Sequence, residues 1–421
     1  MGSNSILPLL GIPEEKVSSY DAYSENGFST ILVELKDERG LCPRCHSKNI
    51  VIKDYYFIYI NNSIVKNLHT QVKVRMRRYK CKDCNKTFKQ GFGISASKCS
   101  ISYVVKNAII ESLKEPLPYS TIARLNNVSI SSVINIFDQH VKYMNRLPLS
   151  EVICIDEFHF SHEDKENRFP CVISNGFNSK IIDIVYSRRK PYLIEYFNKI
   201  SIMERNKVRF FISDMHETYR QIKRHFFKNA KYVVDKFHIT RLFTEAIQRI
   251  RTRLLANIEY DSKEYRFLKK NWKIFLKRRG ELKHSKTIDN YGVVYNVIDD
   301  LDSCLNHYSS LQEAYWIKED FLRIMTNDQT YVSARKNFYF FLNRLEKSVV
   351  PELNKISKTL LNWEEEIIAA YCLNDFGLNL SNSHAEGNNN FIQTMIDASY
   401  GFKNFDRARR RILYINRFYK S

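Results

Sequence analysis

Proline and glycine are scarce in this chain, at 9 and 12 among 421 residues, so linkers must be read from changes of pattern. No run approaches the roughly 18 apolar residues that a membrane span needs, and no membrane partner is expected. There is no repeat of fixed period and no low-complexity tract. Met1–Pro13 lacks a cationic start and a cleavage-site pattern. The expectation is a cytoplasmic chain in a reducing compartment, where thiols stay free or bind metal. Acidic residues are also few: 46 Asp and Glu against 66 Lys and Arg, a formal charge of +20. A balance so one-sided points to a polyanion, because cationic side chains release the counterions condensed on nucleic-acid phosphates.

What is present suffices for several cores. Hydrophobic residues make up 44 % of the chain, which argues against wholesale disorder, and the length suggests two to four domains. Residues 1–98 read as strands and turns, with Thr30–Leu35 and Gln71–Tyr79 alternating as half-buried strands do. Residues 101–147 switch to helical periodicity, broken at Glu115-Pro116-Leu117-Pro118. Val152–Phe160, Pro170–Ser174 and Lys180–Tyr186 read as three consecutive strands. Then come a helix (Pro191–Ile200), a strand (Val208–Ser213), a helix (Glu217–Phe227) and a short strand (Lys231–Val234). That order is an α/β layout with a mixed sheet and matches a ribonuclease-H-like core. From Arg241 to about Tyr371 the pattern is helical with no convincing strand, and Ser381–Tyr419 is helical with one break at Tyr400-Gly401.

Nine cysteines are present, four of them in two CxxC pairs, Cys42/Cys45 and Cys81/Cys84. Two intervening residues let both sulfurs of a tight turn face one ion. Four thiolates satisfy tetrahedral Zn²⁺ and leave no open position, so the expected site is structural. Cations flank the pairs, Arg77 and Arg78 among them, and are expected to contact DNA. Cys99, Cys154, Cys171, Cys304 and Cys372 read as buried small hydrophobes.

Tyr119–Phe137 fits a helix-turn-helix. Ile122, Leu125, Val128, Val133 and Ile136 occupy the apolar positions, and Ala123 is small where the helices cross. Asn127 falls at the turn and Ser129 is a good N-cap. The second helix is expected to offer Ser131, Ser132, Asn135 and Gln139 to a major groove.

Two apolar runs end in acids, Val-Ile-Cys-Ile-Asp156 and Phe-Phe-Ile-Ser-Asp214. Strand ends of open α/β sheets are where ligands sit, and neighbouring first and fourth strands would bring the two carboxylates together. Glu386 lies far downstream at a candidate helix start, from which a helix could reach the same edge. Three carboxylates offer the hard oxygen ligands that two Mg²⁺ (or Mn²⁺) ions require. Glu157, beside Asp156, is expected on the opposite face, as a structural residue or one that supports the site from behind.

Several motifs then resemble one family. They are Ile-Asp-Glu-Phe (155–158), Ser-Asp-Met…Tyr (213–219), Asp-Lys-Phe-His (235–238), Ser-Asn…Ala-Glu-Gly-Asn-Asn (381–389) and Tyr-Gly-Phe-Lys-Asn-Phe (400–405). Together they resemble the ISL-three family of bacterial insertion-sequence transposases, in which the double CxxC and the helix-turn-helix come in the same order. The resemblance implies a DDE enzyme with Asp156, Asp214 and Glu386 as its triad, and Asp235, His238 and Asn389 in support. It implies double-stranded DNA as partner (the terminal inverted repeats of an element and a target), metal-dependent strand cleavage and strand transfer, and a nucleoid-associated homodimer or larger assembly. The expected fold is multidomain α+β: a zinc-binding module (1–98), a helix-turn-helix (99–148), and a ribonuclease-H-like core (149–240 and 372–421) interrupted by an all-α insertion (241–371).

The insertion opens with fourteen Lys and Arg against five acids over Arg241–Lys286. Arg249, Arg253, Lys269 and Lys270 are expected to track phosphates, with interleaved aromatics (Phe243, Tyr260, Tyr265, Phe267, Trp272, Phe275) over a core. Arg407, Arg409, Arg410, Arg411 and Arg417 mark a basic amphipathic helix, for which phosphate contact is one reading. Two alternatives use the same residues: a non-catalytic zinc and helix-turn-helix DNA-binding regulator, and a two-metal endonuclease that cuts without joining.

Overall fold

A computed structural model describes residues 6–25, 28–65, 68–96, 99–160, 167–283, 286–288, 292, 294–326, 329–373, 384–398 and 404–419. These fall into two compact units. One combines the chain up to Asn145 with the segment from Phe391 onward; the other runs from Arg146 to Asn390. The architecture is mixed α and β.

The first unit holds strands β1 (Val17–Glu25), β2 (Phe28–Leu35), β3 (Ile50–Val65), β4 (Leu68–Cys81) and β5 (Thr87–Lys89). Their order is β1-β2-β4-β3, with β5 on β4; β2 and β4 run parallel and the remaining pairs antiparallel. Period-two alternation sends Ile31, Val33 and Leu35 of β2 with Val72, Val74 and Met76 of β4 into one buried face. Helices α1 (Tyr103–Ser112), α2 (Tyr119–Leu125) and α3 (Ile130–His140) follow. The Ser129 hydroxyl accepts from the Ser132 N–H to cap α3, and Asn127 takes the turn with φ 50°. Asn61 of β3 donates from Nδ2 to the carbonyls of Asn126 and Asn127 (3.0 and 2.7 Å), tying the sheet to that turn. Ile122, Ala123, Val133 and Ile136 are buried as expected, and Val128 is half-buried. Leu125 is not in this core: it ends a short helix, just before the turn swings away, and is 43 % exposed. The rings of Tyr119 and Phe137, 6.0 Å apart, take the space.

The C-terminal helix, Phe405–Tyr419, also belongs to this unit, where the sequence placed it with the second. Its arginines are engaged internally. Arg407 and Arg410 both bind Asp138 of α3, at 2.8 and 3.0 Å, and Arg409 donates to the Met144 carbonyl. Arg411 is 1 % exposed, and its guanidinium donates to the carbonyls of Leu113, Glu115 and Leu117, beyond the end of α1. Burial lowers its pKa to about 10. A proline-punctuated segment after a helix leaves carbonyls with no helical donor, and this one cation donates to three, of which Glu115 also accepts from the Leu117 N–H. Arg411→Met is therefore expected to lower stability by about 3 kcal/mol or more, since each buried acceptor left unpaired costs ~1–3 kcal/mol. Thermal melts check this; an unchanged melting temperature would show that those carbonyls find other donors.

The second unit is built on β6 (Val152–Glu157), β7 (Cys171–Asn175), β8 (Ile181–Val185), β9 (Phe210–Ser213) and β10 (Lys231–Val234). The sheet order is β10-β9-β6-β7-β8. β6, β7 and β8 are successive antiparallel neighbours, whereas β9 and β10 run parallel to β6. Strands buried on both faces read as continuous apolar runs, and every residue of β8 is buried. Helices α4 (Lys190–Asn198), α5 (Ile202–Arg205) and α6 (Glu217–Phe226) lie between the later strands. After β10 come α7 (Lys236–Leu255), α8 (Lys263–Lys270), α9 (Val297–His307), α10 (Ser309–Ile324), α11 (Tyr331–Glu346), α12 (Pro351–Asn362) and α13 (Glu364–Tyr371). This region is helical as read, apart from a small hairpin of β11 (Lys286–Ile288) and β12 (Val294–Asn296) that three-residue strands gave no periodicity to reveal. Phe243, Phe267 and Phe275 are core residues, while Tyr260 and Trp272 are exposed. Arg220 of α6 fastens the helical layer to the sheet unit, stacking 3.6 Å from the Trp363 ring and pairing with Glu366 at 3.0 Å. Helix α14 (His384–Ala398) and the C-terminal helix α15 complete the chain. Among the described residues no helix is long and apolar enough to cross a membrane.

Candidate active site and metal centre

The apolar runs that form the three parallel strands β6, β9 and β10 each lead into an aspartate. The ladder pairs Cys154 with Ile212 in parallel register, so two residues further on Asp156 falls opposite Asp214. Val234 pairs with Ser213, so Asp235 in turn falls opposite Asp214. Three adjacent parallel strands thus deliver three carboxylates to their C-terminal ends. They line one cleft of about 620 Å³ together with Glu157, His238 and Asn390. Arg188 and Arg241 add positive charge to its wall, and Phe169 and Phe237 present exposed rings.

The backbone at Asp214 is tightly held. Its carbonyl accepts from the Tyr232 hydroxyl (2.7 Å), the Ser213 hydroxyl (3.2 Å) and the His216 N–H (3.0 Å). Its side chain is not matched: Oδ1 is buried without a hydrogen-bond partner among the described residues. Burial, then the charges of Glu157 and Asp156, push this carboxyl up to about 7. Asp156 Oδ1 accepts from the Glu157 N–H at 2.8 Å. Asp235 accepts from the Phe237 N–H at 3.0 Å and so caps α7, which places His238 in the first turn beside the cleft.

Glu157 pairs in register with Cys171, on the strand face opposite Asp156, as alternation assigned it. It nevertheless lines the same cleft. β6 ends at this residue, and the cleft lies across the end of the sheet, so side chains from both faces reach it. Tyr219 donates to Glu157 Oε1 at 2.8 Å and Arg188 pairs with it at 3.2 Å. These contacts suit the supporting role that the adjacent acid in Ile-Asp-Glu-Phe allowed.

Glu386 and Asn389 fall within α14, and their side chains lie outside the described residues. Asn390 of the same helix lines the cleft. Of the motif residues, 381–383 and 400–403 also lie outside the described residues.

The four cysteines of the first unit converge, with all four sulfurs within 4.8 Å of one another. The two CxxC turns share one geometry. The Cys42 N–H donates to the Ser47 carbonyl (3.0 Å) and the Cys81 N–H to that of Lys86 (2.9 Å). The residue after each second cysteine is left-handed, with φ 57° at His46 and 56° at Asn85. Backbone N–H groups of Cys45 and Arg44 point at the Cys42 sulfur and help hold its thiol down to about 6. Asp83 of one turn accepts from Ser47 and Asn49 beside the other, bracing the pair. This cluster could hold a metal ion. Of the other cysteines, Cys171, Cys304 and Cys372 are buried, Cys154 is half-buried and Cys99 is exposed.

On α3, Ser131, Asn135 and Gln139 are exposed, while the Ser132 hydroxyl lies 2.9 Å from that of Ser129 at the helix cap. Arg77 donates to the Leu35 carbonyl and Arg78 pairs with Asp54 at 3.3 Å. Arg249 and Arg253 pair with Glu245 and Glu352, and Lys269 and Lys270 are exposed at the end of α8.

No curated protein matches the chain significantly. Residues 153–412, more than half of it, match the family model for ISL-three DDE enzymes, described as Transposase. The matched span includes the three strand-end aspartates and α14, and on that match the chain belongs to the ISL-three family of DDE transposases.

Proposed function

We propose that this protein binds the terminal inverted repeats of a mobile element, cuts a strand at each end and transfers the freed 3′-hydroxyl to target DNA. The observation that carries this reading is the juxtaposition of Asp156 and Asp214 at the ends of adjacent parallel strands, in a chain of a transposase family. The order of three antiparallel strands followed by two parallel ones supports a ribonuclease-H-like core.

Asp156, Asp214 and Glu386 would hold divalent cations, Mg²⁺ or Mn²⁺. An unpartnered buried Oδ1 on a carboxyl raised to about 7 by burial and then by its acidic neighbours suits a site that takes a cation. Position 386 lies one helical turn before Asn390, which lines the cleft. When bound, such ions activate the attacking oxygen and neutralise charge on the phosphate and leaving oxygen. The protein's part is orientation. Three donors on its carbonyl set the Asp214 backbone, Tyr219 and Arg188 hold Glu157 beside it, and Arg188 and Arg241 face an incoming phosphodiester. Water and then the freed hydroxyl attack phosphorus, so no covalent enzyme intermediate is required.

The cysteine cluster would hold one structural Zn²⁺ with no open position. α2 and α3 would act as a helix-turn-helix, offering Ser131, Asn135 and Gln139 to a major groove. Two ends handled together call for a dimer or larger assembly.

The test is metal-dependent nicking of labelled DNA that carries the element's ends. Wild type is expected to nick only with Mg²⁺ or Mn²⁺, and Asp156→Ala not to nick. Metal-independent nicking, or nicking that survives in Asp156→Ala, would overturn the assignment. Tyr219→Phe removes one of two bonds that orient Glu157. Apparent divalent-ion affinity is expected to fall by about 10- to 100-fold, as for other partners that orient groups at a metal site. A metal titration of nicking reads this, and an unchanged midpoint would assign Tyr219 to packing alone.

A further inference from the structure

The sheet of the first unit has a second face, and it is built differently from its buried one. On β3, Tyr55, Phe57 and Tyr59 alternate outward and are 47, 47 and 50 % exposed. The register of β3 on β4 places one cation directly across from each ring: Tyr55 opposite Arg77, Phe57 opposite Arg75 and Tyr59 opposite Lys73. The cations lie over the rings. Lys73 Nζ is 4.8 Å from the Phe57 centroid and 5.7 Å from Tyr59, while the Arg75 and Arg77 guanidinium carbons are 4.4 and 5.8 Å from Tyr55. Glu34 pairs with Arg75 at 3.0 Å, an exposed bridge that offsets one of the three charges.

We infer that this ladder is a stacking platform for unpaired bases of DNA, with Lys73 and Arg75 facing the phosphates while Arg77 is held by the Leu35 and Lys36 carbonyls. Three observations converge. Exposed rings on consecutive outward positions are costly for a surface that faces only water. A row of cations on β4 runs beside the row of rings on β3, one across from each ring, which suits a strand that offers a base and a phosphate in each unit. The spacing then selects the form of DNA. Alternate strand residues stand about 7 Å apart, twice the ~3.4 Å rise between stacked bases of a duplex. Bases that each cover one ring must be separated from one another, which a single strand allows and a duplex does not. The inference rests on DNA as the partner of this chain, as proposed above, and adds which strand state the first unit engages.

The test uses full-length, zinc-loaded protein and a fluorescein-labelled strand of about 15 nucleotides, alone and annealed to its complement, at one salt concentration. Tyr55→Ser/Phe57→Ser/Tyr59→Ser is compared with wild type by anisotropy. Because that variant could lose strand propensity, Phe57→Leu and Phe57→Trp are measured beside it, with thermal melts. Single-strand affinity is expected to fall about tenfold for each ring removed, to be retained in Phe57→Trp, and to leave duplex affinity within about twofold. Equal single-strand affinity for wild type and a folded Phe57→Leu would overturn the platform, as would an equal loss on single strand and duplex. Nicking is assayed on the same preparations. Failure of every one to nick, with the single-strand difference intact, would count against the transposase reading and leave the platform standing.

Discussion

Asp214→Asn is expected to raise the stability of the magnesium-free protein and to abolish its cleavage of DNA. The folded carboxyl is pushed up to about 7, first by burial and then by Glu157 and Asp156, from an ordinary value of 3.8. A folded pKa above the unfolded one means that the folded state binds more protons between those values. Stability therefore falls as pH rises from about 4 to about 7, and the full penalty remains above 7. At pH 8 the isosteric amide removes a cost on the order of 2–4 kcal/mol. Melting curves from pH 5 to pH 8, without chelator so that the thiolate cluster is undisturbed, should show wild type losing stability and Asp214→Asn nearly flat. Mg²⁺ should stabilise wild type more strongly as pH rises through about 7, because a proton must leave before the cation binds. Cleavage should drop by about 10³-fold or more in the variant. A variant no more stable than wild type at pH 8, or one that still cleaves, would contradict the electrostatic reading of the cleft.

The second large effect concerns the cysteine cluster. Removing the ion with a strong chelator, or one ligand with Cys81→Ser, is expected to unravel the far end of the β3–β4 pair together with β5. Cys42, Ile50, Tyr79 and Cys81 form a small separate core, too few apolar residues to hold that end alone. Structural zinc binding is worth roughly 10–16 kcal/mol in isolated fingers, far more than this cluster buries. Elemental analysis should give one zinc per chain. Hydrogen exchange should rise sharply over residues 42–90 on chelation and leave α7–α13 protected. Unchanged exchange in the metal-free protein would show that the four sulfurs are dispensable to the fold.

Much of the architecture could be read from local pattern. Lys231–Val234 was read as a strand of that extent, and the acids closing two apolar runs pointed to the sheet end where the cleft lies. The cysteine spacing pointed to one four-sulfur cluster, and both CxxC turns do close beside the ends of β3 and β4. The failures share a cause. The arginines of α15 read as a basic amphipathic helix open to phosphate contact, but their partner Asp138 lies 269 residues earlier than Arg407, and Arg411 binds carbonyls that no side-chain pattern encodes. Glu157 keeps the strand face opposite Asp156, and it was left out of the site because the cleft lies across the end of the sheet, where both faces contribute. The ladder of rings across from cations on β3 and β4 needed the inter-strand register, which the separate strands do not reveal.

The most direct test of the central claim follows a labelled element end, bearing its 3′-hydroxyl, into a plasmid target in the presence of Mg²⁺. Wild type is predicted to yield a covalently joined product and Asp156→Ala none, with both proteins binding the end equally. Joining that persists in Asp156→Ala, or folded, zinc-loaded wild type that binds the correct ends yet neither cuts nor joins them, would contradict it.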